Sequence, residues 1–326
     1  MEDSQHGSGQ MKILIWQTAY LGDVVLITPL IRTLRKCLVE AKVSFVGRPF
    51  ITQLLKGYDI NLYPFSKGLW ESFEMAEKIS DYHVAVSPHV SARSALILFF
   101  SGIPLRIGFD RSELSWLYTH RVKHQWNKHE IERNLELLKP LGIKENEWIR
   151  ETKLFVDEQE INSLREKFNL PEDYIVLSPF SNFPLKEWYL QGWMEVASGL
   201  NISKVLIGTE KDAKKAEEIE RKAEVINLVG KTSLRELMAV IAGAKLVISV
   251  DSSPMHIANA LGIPAVCIYT STSPSYGFYP RIGTYLVPSL ECSPCSPNPK
   301  KCKSGHYACL RAVKSEEVLK EALKFF

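Results

Sequence analysis

The turn with the most chemically useful side chains is Asp251-Ser252-Ser253-Pro254-Met255-His256, which lies between a strand-like run and a short helical run. A helix that starts at such a turn leaves several backbone N–H groups unpaired, and its dipole adds positive potential. Both features favour an anion such as a diphosphate. The turn is equally typical of an ordinary helix cap, with Asp251 or Ser252 as the capping residue and His256 at the surface.

Two other polar turns follow strand-like runs earlier in the chain. In segment 178–188, Lys186 can meet a phosphate as a compact charge, and Ser181 and Asn182 can donate hydrogen bonds to a phosphate or a sugar. In segment 206–212, an acid such as Asp212 can hold ribose hydroxyls. Because all three turns would share one edge of a parallel sheet, together they predict a nucleotide site.

Asp23 is the candidate for acid–base chemistry. It follows a strand-like run and Gly22, which permits a tight turn, so it comes at the start of a predicted helix. A carboxylate at this point would project into a cleft between domains, where it can accept a proton from an attacking hydroxyl. Asp is also common in the first turn of a helix, where it complements the dipole. The residues alone leave both interpretations open.

Strand-like runs alternate with amphipathic helical runs, which predicts repeated βα units and parallel sheets. We expect a disordered extension over residues 1–10 and two α/β domains over 11–153 and 154–326, with the last helix able to pack back on the first domain. The two sheets would face a shared cleft, with ligands at the carboxyl ends of the strands. The predicted strands are 12–16, 42–46, 82–86, 105–109, 174–178, 204–207, 246–250 and 265–269. The predicted helices are 24–38, 133–141, 157–169, 188–200, 211–223, 233–242 and 315–326.

Composition narrows the function classes. The chain has 326 residues, 45% of them hydrophobic, which is enough for two cores. A net charge of +3 argues against wrapping nucleic acid. No apolar run is long enough to span a bilayer and the first residues lack a secretory pattern, so we expect a cytoplasmic protein. The turn after the first strand has one glycine only, which disfavours a nicotinamide-dependent dehydrogenase.

A basic run over residues 120–133 includes Arg121 and Lys123. It favours either contact with a phosphorylated or acidic acceptor or an ordinary solvated face.

Five motifs in this sequence fall in the order seen in lipopolysaccharide heptosyltransferases. The chain resembles that family from residue 11 to its C-terminus, and it resembles the heptosyltransferase II branch most. The motifs are Gly22-Asp23, Leu105-Arg106-Ile107-Gly108-Phe109, His129-Glu130-Ile131-Glu132-Arg133-Asn134, Lys186-Glu187-Trp188 and Asp251-Ser252-Ser253-Pro254-Met255-His256.

The resemblance implies a GT-B fold of two Rossmann-like domains and an inverting transfer of heptose from ADP-heptose to the lipopolysaccharide inner core. It implies that Asp23 is the general base, and that Lys186 and the turn Ser252–His256 stabilise the departing ADP. It also implies that Ser181 and Asn182 contact phosphate or heptose, and that Asp251 contacts the transferred sugar. The acceptor would meet Gly22, Arg121 and Lys123. No cofactor and no catalytic metal are expected, because a cation and backbone donors stabilise the leaving group.

The partners implied are the nucleotide sugar and a lipid A-linked acceptor, with peripheral contact at the cytoplasmic face of the inner membrane and no nucleic acid. We expect a monomer.

Two departures from the family pattern keep alternatives open. Ser253 stands where the family usually has glycine, and segment 269–272 replaces a Gly-Pro-Ser/Thr-like segment. The alternatives are another nucleotide sugar, or a non-catalytic protein that binds a nucleotide sugar.

Four cysteines crowd into a Pro-rich segment near the C-terminus: Cys292, Cys295, Cys302 and Cys309. Their spacing is compatible with a structural zinc site, with two disulfides or with free thiols, and spacing alone does not choose among them.

Overall fold

The computed structural model describes residues 10–326. The predicted extension over residues 1–10 lies outside the described residues, apart from Gln10. The chain divides into two compact units. Unit 1 comprises the residues up to Gln125 together with Ile131–Glu151, and unit 2 comprises Trp126–Glu130 together with Thr152–Phe326. None of the helices within residues 10–326 combines the length and the apolar character needed to cross a bilayer.

Unit 1 is built on a six-stranded parallel sheet with the strand order β3-β2-β1-β4-β5-β6. The strands are β1 (Lys12–Trp16), β2 (Lys42–Gly47), β3 (Asn61–Pro64), β4 (Val84–Ser87), β5 (Leu105–Phe109) and β6 (His120–Val122). The two edge strands, β3 and β6, were absent from the sequence-based prediction. Both are short and contain polar residues or proline, because an edge strand is only partly buried and needs no continuous apolar run.

The helices of unit 1 are α1 (Leu21–Val25), α2 (Thr28–Cys37), α3 (Ile51–Leu54), α4 (Leu69–Lys78), α5 (Ala92–Phe100) and α6 (Glu130–Glu136), whose first residue belongs to unit 2. The prediction of one helix over 24–38 was wrong. Pro29 lies in the first turn of α2, where its missing N–H is tolerated, so the chain starts a new helix there. The predicted helix over 133–141 was displaced, since α6 ends at Glu136 and a 3-10 turn over Lys139–Leu141 follows.

Unit 2 is built on a second six-stranded parallel sheet with the order β12-β11-β10-β7-β8-β9. The strands are β7 (Tyr174–Ser178), β8 (Ser203–Leu206), β9 (Ile226–Asn227), β10 (Val247–Val250), β11 (Ala265–Ile268) and β12 (Gly283–Leu286). The helices are α7 (Glu158–Phe168), α8 (Leu190–Gly199), α9 (Ala213–Glu220), α10 (Leu234–Ala242), α11 (Ser253–Ala260) and α12 (Ser315–Ala322).

The core of unit 2 explains why its central strands read as apolar runs. Strands β7, β10 and β11 are buried along their whole length, as expected for a parallel sheet covered on both faces. Helix α12 packs against α8 and buries Val318 and Ala322 in this core. The indole Nε1 of Trp188 donates to the carbonyl of Val313 at 3.1 Å. Packing of this last helix on the first domain stays a prediction.

Gly283 sets the approach of the edge strand β12 to β11. Its φ of +123° belongs to glycine, and a Cβ added there would lie 2.0 Å from the backbone oxygen of Ala265. Because the clashing atom is backbone, no side-chain movement relieves it. The close approach lets β12 hydrogen-bond to β11, the strand that leads into the polar segment Tyr269–Thr272.

We predict that Gly283→Ala lowers the free energy of unfolding by roughly 2–4 kcal/mol, because strain and clash add. The matched control is Gly262→Ala, which has a φ of +81° but nothing within 4 Å of the added Cβ. It should cost only about 1–2 kcal/mol, the price of a left-handed backbone. Urea unfolding of both variants measures the difference, and equal losses would contradict the assignment of a clash.

Candidate functional site

The candidate site of unit 2 lies where the order of the sheet reverses. The chain runs outward from β7 through β8 to β9 and then returns to β10 on the other side of β7. Open α/β sheets bind ligands at the carboxyl ends of the strands at this kind of reversal. The turn with Lys186 follows β7, and the turn with Asp251 follows β10. The two turns singled out in the sequence are therefore neighbours in the fold.

Lys186 and Asp251 form an ion pair at this reversal. The Nζ atom of Lys186 is 2.8 Å from Oδ2 of Asp251, and the two side chains are only 13% and 10% exposed. The same carboxylate oxygen accepts a hydrogen bond from the hydroxyl of Thr272 at 2.9 Å. Lys186 also lies over the ring of Phe183, 5.5 Å from its centroid. A buried cation is thus held in place, ready to meet an anion.

Two hydroxyl groups from the segment after β11 fix the backbone of the Lys186 turn. Thr270 donates to the carbonyl of Leu185 at 2.7 Å, and Ser271 donates to the same oxygen. Both hydroxyl-bearing residues are fully buried. The turns after β7, β10 and β11 are therefore bonded to one another through side chains, which makes this edge of the sheet a single rigid group.

The N-terminus of α11 has no side-chain cap. Ser252 occupies the capping position, but its hydroxyl donates to the carbonyl of Val250 at 3.3 Å and lies 3.1 Å from the hydroxyl of Ser249. Ser252 is therefore the N-cap residue, as one of the two interpretations expected, but its side chain does not cap the helix, and Asp251 is not the N-cap. Ser253 is the first helical residue, and Pro254 follows it. Uncapped N–H groups and the dipole together give this turn affinity for an anion.

His256 is buried on α11, so the alternative of a surface histidine was wrong. Burial, and secondly the charges of His129 and Lys186, lower the pKa of His256 to about 3. The imidazole is therefore neutral near pH 7. His129 is itself buried, and its Nε2 atom is 3.0 Å from the carbonyl oxygen of Tyr279. Both histidines belong to unit 2.

Met255 has a different environment from its neighbours in the motif. Its side chain is completely buried in a small cluster with Ala265, Cys267 and Tyr269. The side chain of Met255 therefore packs the core and does not face a ligand. A contact between its backbone and the donor stays a prediction.

The remaining donor-binding candidates have structural partners of their own. The backbone N–H of Ser181 donates to Glu187 at 3.2 Å, and the Ser181 hydroxyl accepts from the N–H of Phe183 at 3.2 Å. Asn182 is exposed in the same turn. Asp212 follows β8 and accepts from both the N–H and the hydroxyl of Thr209, at 2.9 and 2.7 Å. These bonds fix the two turns, and their contacts with a donor stay predictions.

In unit 1, Asp23 lies in the first turn of α1. One of its carboxylate oxygens accepts a hydrogen bond from the backbone N–H of Tyr20 at 3.1 Å, which closes a capping box. Gly22 is a buried residue inside α1 with no left-handed φ, so the prediction that it forms a tight turn was wrong. The helix begins at Leu21, one residue before it. The cap fixes the direction of the Asp23 carboxylate.

A network around His89 lies at the reversal of the unit 1 sheet, where β1 and β4 are neighbours. The Nδ1 atom of His89 is 3.2 Å from the hydroxyl of Thr18 and 2.7 Å from that of Ser94. The indole of Trp16 donates to Ser94 at 2.8 Å. Burial, and secondly the charge of Lys67, lower the pKa of His89 to about 4. A neutral histidine therefore stands at the carboxyl end of β4, in the same unit as Asp23.

Arg121 and Lys123, the predicted acceptor contacts, lie at the edge of the unit 1 sheet. Arg121 is in β6, Lys123 follows it, and both side chains are exposed. Their role toward an acceptor stays a prediction.

No disulfide joins any of the cysteines within residues 10–326 of the structure. Hydrogen bonds from the Ser304 hydroxyl and from the backbone N–H groups of Tyr307 and Gly305 lower the pKa of Cys302 to about 7. Burial raises the pKa of Cys309 to about 11. Over residues 10–326, no group of three His, Cys, Asp or Glu side chains is placed to hold a metal ion. The choice among zinc, disulfides and free thiols stays a prediction.

Sequence reasoning missed the functional context of two groups of residues. Thr270, Ser271 and Thr272 were noted only as a departure from a family pattern, although three buried hydroxyls after an apolar strand need partners and thereby signal a bonded turn. The sequence carries no comparable signal for the network of His89, because the network joins residues that are far apart in the chain and belong to different elements.

Comparison with known protein families identifies the chain. Residues 77–320 match the model of glycosyltransferase family 9 (heptosyltransferase). Lipopolysaccharide heptosyltransferase 2 of Salmonella typhimurium is 30% identical over 298 residues, which cover 82% of this chain and 84% of that protein. Lipopolysaccharide heptosyltransferase 2 of Escherichia coli K12 is 29% identical with the same coverage.

Solved structures agree with the fold. The structure of E. coli ADP-heptose lps heptosyltransferase II superposes with a TM-score of 0.79 and 25% identity, covering 97% of this chain and 98% of that one. A glycosyl transferase family 9 protein from Veillonella parvula superposes with a TM-score of 0.85 at 22% identity and covers 97% of both chains. The predicted GT-B fold with two Rossmann-like units is confirmed. The chain therefore belongs to glycosyltransferase family 9, the heptosyltransferases, and is a glycosyltransferase.

Proposed function

We propose that this glycosyltransferase moves a heptose from ADP-heptose to the inner core of lipopolysaccharide, with inversion at the anomeric carbon and with Asp23 as the general base. One observation carries the proposal: a lysine of low exposure and a helix N-terminus without a side-chain cap lie together at the reversal of the unit 2 sheet. The names of the relatives, which are lipopolysaccharide heptosyltransferases, support heptose transfer to lipopolysaccharide, and the name of the E. coli structure, ADP-heptose lps heptosyltransferase II, supports ADP-heptose as the donor.

The leaving group of this reaction is ADP, which gains negative charge as the glycosidic bond to its phosphate breaks. Lys186 and the first N–H groups of α11 supply positive potential that is already oriented before the reaction. Asp251 and Thr272 hold Lys186 in this position. In this proposal Asp251 also contacts the transferred sugar, while Ser181 and Asn182 contact its phosphate or hydroxyls.

The attacking group is a hydroxyl of the acceptor, and it must lose its proton. Asp23 accepts that proton, and the hydrogen bond from the Tyr20 N–H keeps its carboxylate in one orientation. Gly22, Arg121 and Lys123 contribute to the acceptor side. No redox step occurs, so no redox cofactor is needed, and Lys186 with α11 takes the part that a metal ion has in other transferases.

Ser253 favours one variant of this proposal, in which the donor carries another sugar or nucleotide. It is the first residue of α11, where a Cβ and hydroxyl replace the hydrogen of a glycine. Where the backbone comes closest to a phosphate, the residue is usually glycine, because it has no Cβ. The side chain of Ser253 would therefore displace the donor slightly. Incubation with a panel of ADP- and UDP-sugars and an inner-core acceptor, followed by the mass of the product, distinguishes the donors.

We predict that Asp23→Asn lowers turnover by roughly 100-fold or more, because an amide cannot accept the proton. Asparagine keeps an oxygen that can accept the Tyr20 N–H, so the start of α1 remains capped. Affinity for ADP should stay within about twofold of the wild type, since Asp23 belongs to unit 1 and no donor contact is assigned to it.

The variant Asp23→Ala is the companion to this test, because it loses the cap as well as the base. If Asp23 is only a helix cap, Asp23→Asn retains turnover while Asp23→Ala loses stability, and the assignment of the base is wrong. Steady-state kinetics and a thermal melt of both variants separate the two roles.

We predict that Lys186→Ala weakens ADP binding by roughly 10- to 100-fold, because a charge-assisted contact to phosphate contributes about 1.5–3 kcal/mol. Affinity for adenosine, which has no phosphate, should change little. Calorimetric titration of the variant with both ligands measures the contrast.

The matched control is Lys245→Ala. Lys245 also pairs with an aspartate, Asp173, at 2.9 Å, but it precedes β10 and so lies at the amino end of the strand. This control should bind ADP as the wild type does. Equal losses for ADP and adenosine in Lys186→Ala would indicate a damaged fold, and unchanged ADP affinity would remove Lys186 from the donor site.

A further inference from the structure

Unit 1 exposes large apolar side chains on three neighbouring elements, α4, α5 and the 3-10 turn Ser115–Leu117. Trp70 is 78% exposed, and Phe100 and Trp116 are each 70% exposed. Exposed apolar patches of this kind on a folded protein indicate a surface that binds another protein, a ligand or a membrane. We call this set the apolar patch, and its members are Leu69, Trp70, Phe73, Leu96, Phe99, Phe100 and Trp116.

Helix α5 shows that the patch is not the edge of a core. Its inner face places Ala95, Ile97 and Leu98 in the core of unit 1, while Leu96, Phe99 and Phe100 face outward. A helix that is apolar on all sides is expected inside a protein or against lipid. Helix α4 packs against α5, so the aromatic pairs of the two helices lie on adjoining elements.

Cations lie at the start of both helices. Lys67 precedes α4 and Arg93 is in the first turn of α5, on the same outward face as Leu96 and Phe100. Arg93 donates to the backbone carbonyl of Lys67. Burial, and secondly the charges of Arg48 and Arg93, lower the pKa of Lys67, so both guanidinium groups lie near this lysine. No acidic side chain pairs with these three cations within the described part of the chain.

Two acidic side chains at the starts of these helices accept hydrogen bonds from backbone N–H groups and form no ion pair with the three cations. Glu71 accepts from the N–H groups of Ser66 and Gly68, and Glu113 accepts from that of Ala92. Glu74 and Glu77 are exposed farther along α4. Lys67 and Arg93, with Arg48 near Lys67, therefore place three cations at the end of the patch where the two helices begin, and a further cation, Arg106, lies over the ring of Phe99 at the other end of α5.

We propose that the apolar patch docks this enzyme on the surface of an anionic lipid bilayer, with Arg48, Lys67 and Arg93 facing the lipid phosphates. The inference rests on the proposed function, because a lipid A-linked acceptor is presented at such a surface. Aromatic side chains supply the apolar contact, with tryptophans suited to the headgroup level. A cluster of cations supplies the second, electrostatic contribution that peripheral binding requires.

The test is flotation of the full-length enzyme with vesicles of phosphatidylcholine alone and of phosphatidylcholine with phosphatidylglycerol. The double variant Trp70→Glu/Phe100→Glu should lose at least about tenfold in affinity for both, because two large apolar groups no longer enter the interface. Lys67→Gln/Arg93→Gln should weaken binding to the anionic vesicles only. The controls Val39→Glu, at an apolar position of unit 1 that is 68% exposed, and Lys222→Gln in unit 2 should bind as the wild type does.

A second readout does not depend on weakened binding. Brominated lipids should quench part of the tryptophan fluorescence of the wild type, and this fraction should disappear in Trp70→Phe/Trp116→Phe, which keeps the patch apolar. Quenching that is unchanged in this variant would overturn the proposal.

Activity separates failure of docking from failure of the proposed function. With a deacylated, water-soluble acceptor the patch variant should turn over as the wild type does, whereas with an acceptor in vesicles it should be slower. Normal turnover together with unchanged vesicle binding in the patch variant overturns the docking surface and leaves the transferase function intact. If vesicle binding depends on the patch but the enzyme transfers no heptose, the docking surface stands and the proposed function is wrong.

A dimer is the remaining outcome. If the double variant Trp70→Glu/Phe100→Glu abolishes a dimer in sedimentation while vesicle binding is unchanged, the patch binds a second copy of the chain and the proposal is wrong.

Discussion

The ion pair between Lys186 and Asp251 is the interaction on which the candidate donor site depends. A lysine of low exposure is costly unless an opposite charge stabilises it, and Asp251 provides that charge at 2.8 Å. The pair joins the ends of β7 and β10, and Thr272 connects it to the end of β11. Loss of either partner would leave a buried charge unpaired, so the position of the cation and the rigidity of the turns are linked.

The surroundings of this pair are consistent with the binding of an anion. His256 is buried and neutral near pH 7, so it does not compete with an incoming phosphate for Lys186 as a carboxylate would. The start of α11 contributes N–H groups that no side chain caps. Asp251 forms an ion pair with Lys186. A diphosphate therefore has to share Lys186 with Asp251 or displace it.

The sequence was sufficient to predict the βα alternation, all eight inner strands and the three polar turns, because parallel sheets make continuous apolar runs and their ligand turns are polar. It did not show that Lys186 and Asp251 pair, since that contact depends on the order of strands and not on spacing. The edge strands β3 and β6 lacked the apolar run that identifies a strand. Pro29 ended a helical pattern whose periodicity continued across it. Gly22 was assigned to a turn because glycine is usual there, whereas the helix begins before it.

The central claim is that the turns after β7, β10 and β11 form the site for the diphosphate of the donor. The most direct measurement is a crystal structure of this enzyme with ADP bound. The account predicts the β-phosphate within hydrogen-bonding distance of the Lys186 Nζ atom and of backbone N–H groups in the first turn of α11. A diphosphate bound at another edge of the protein, with the Lys186–Asp251 pair undisturbed and out of its reach, would contradict the account.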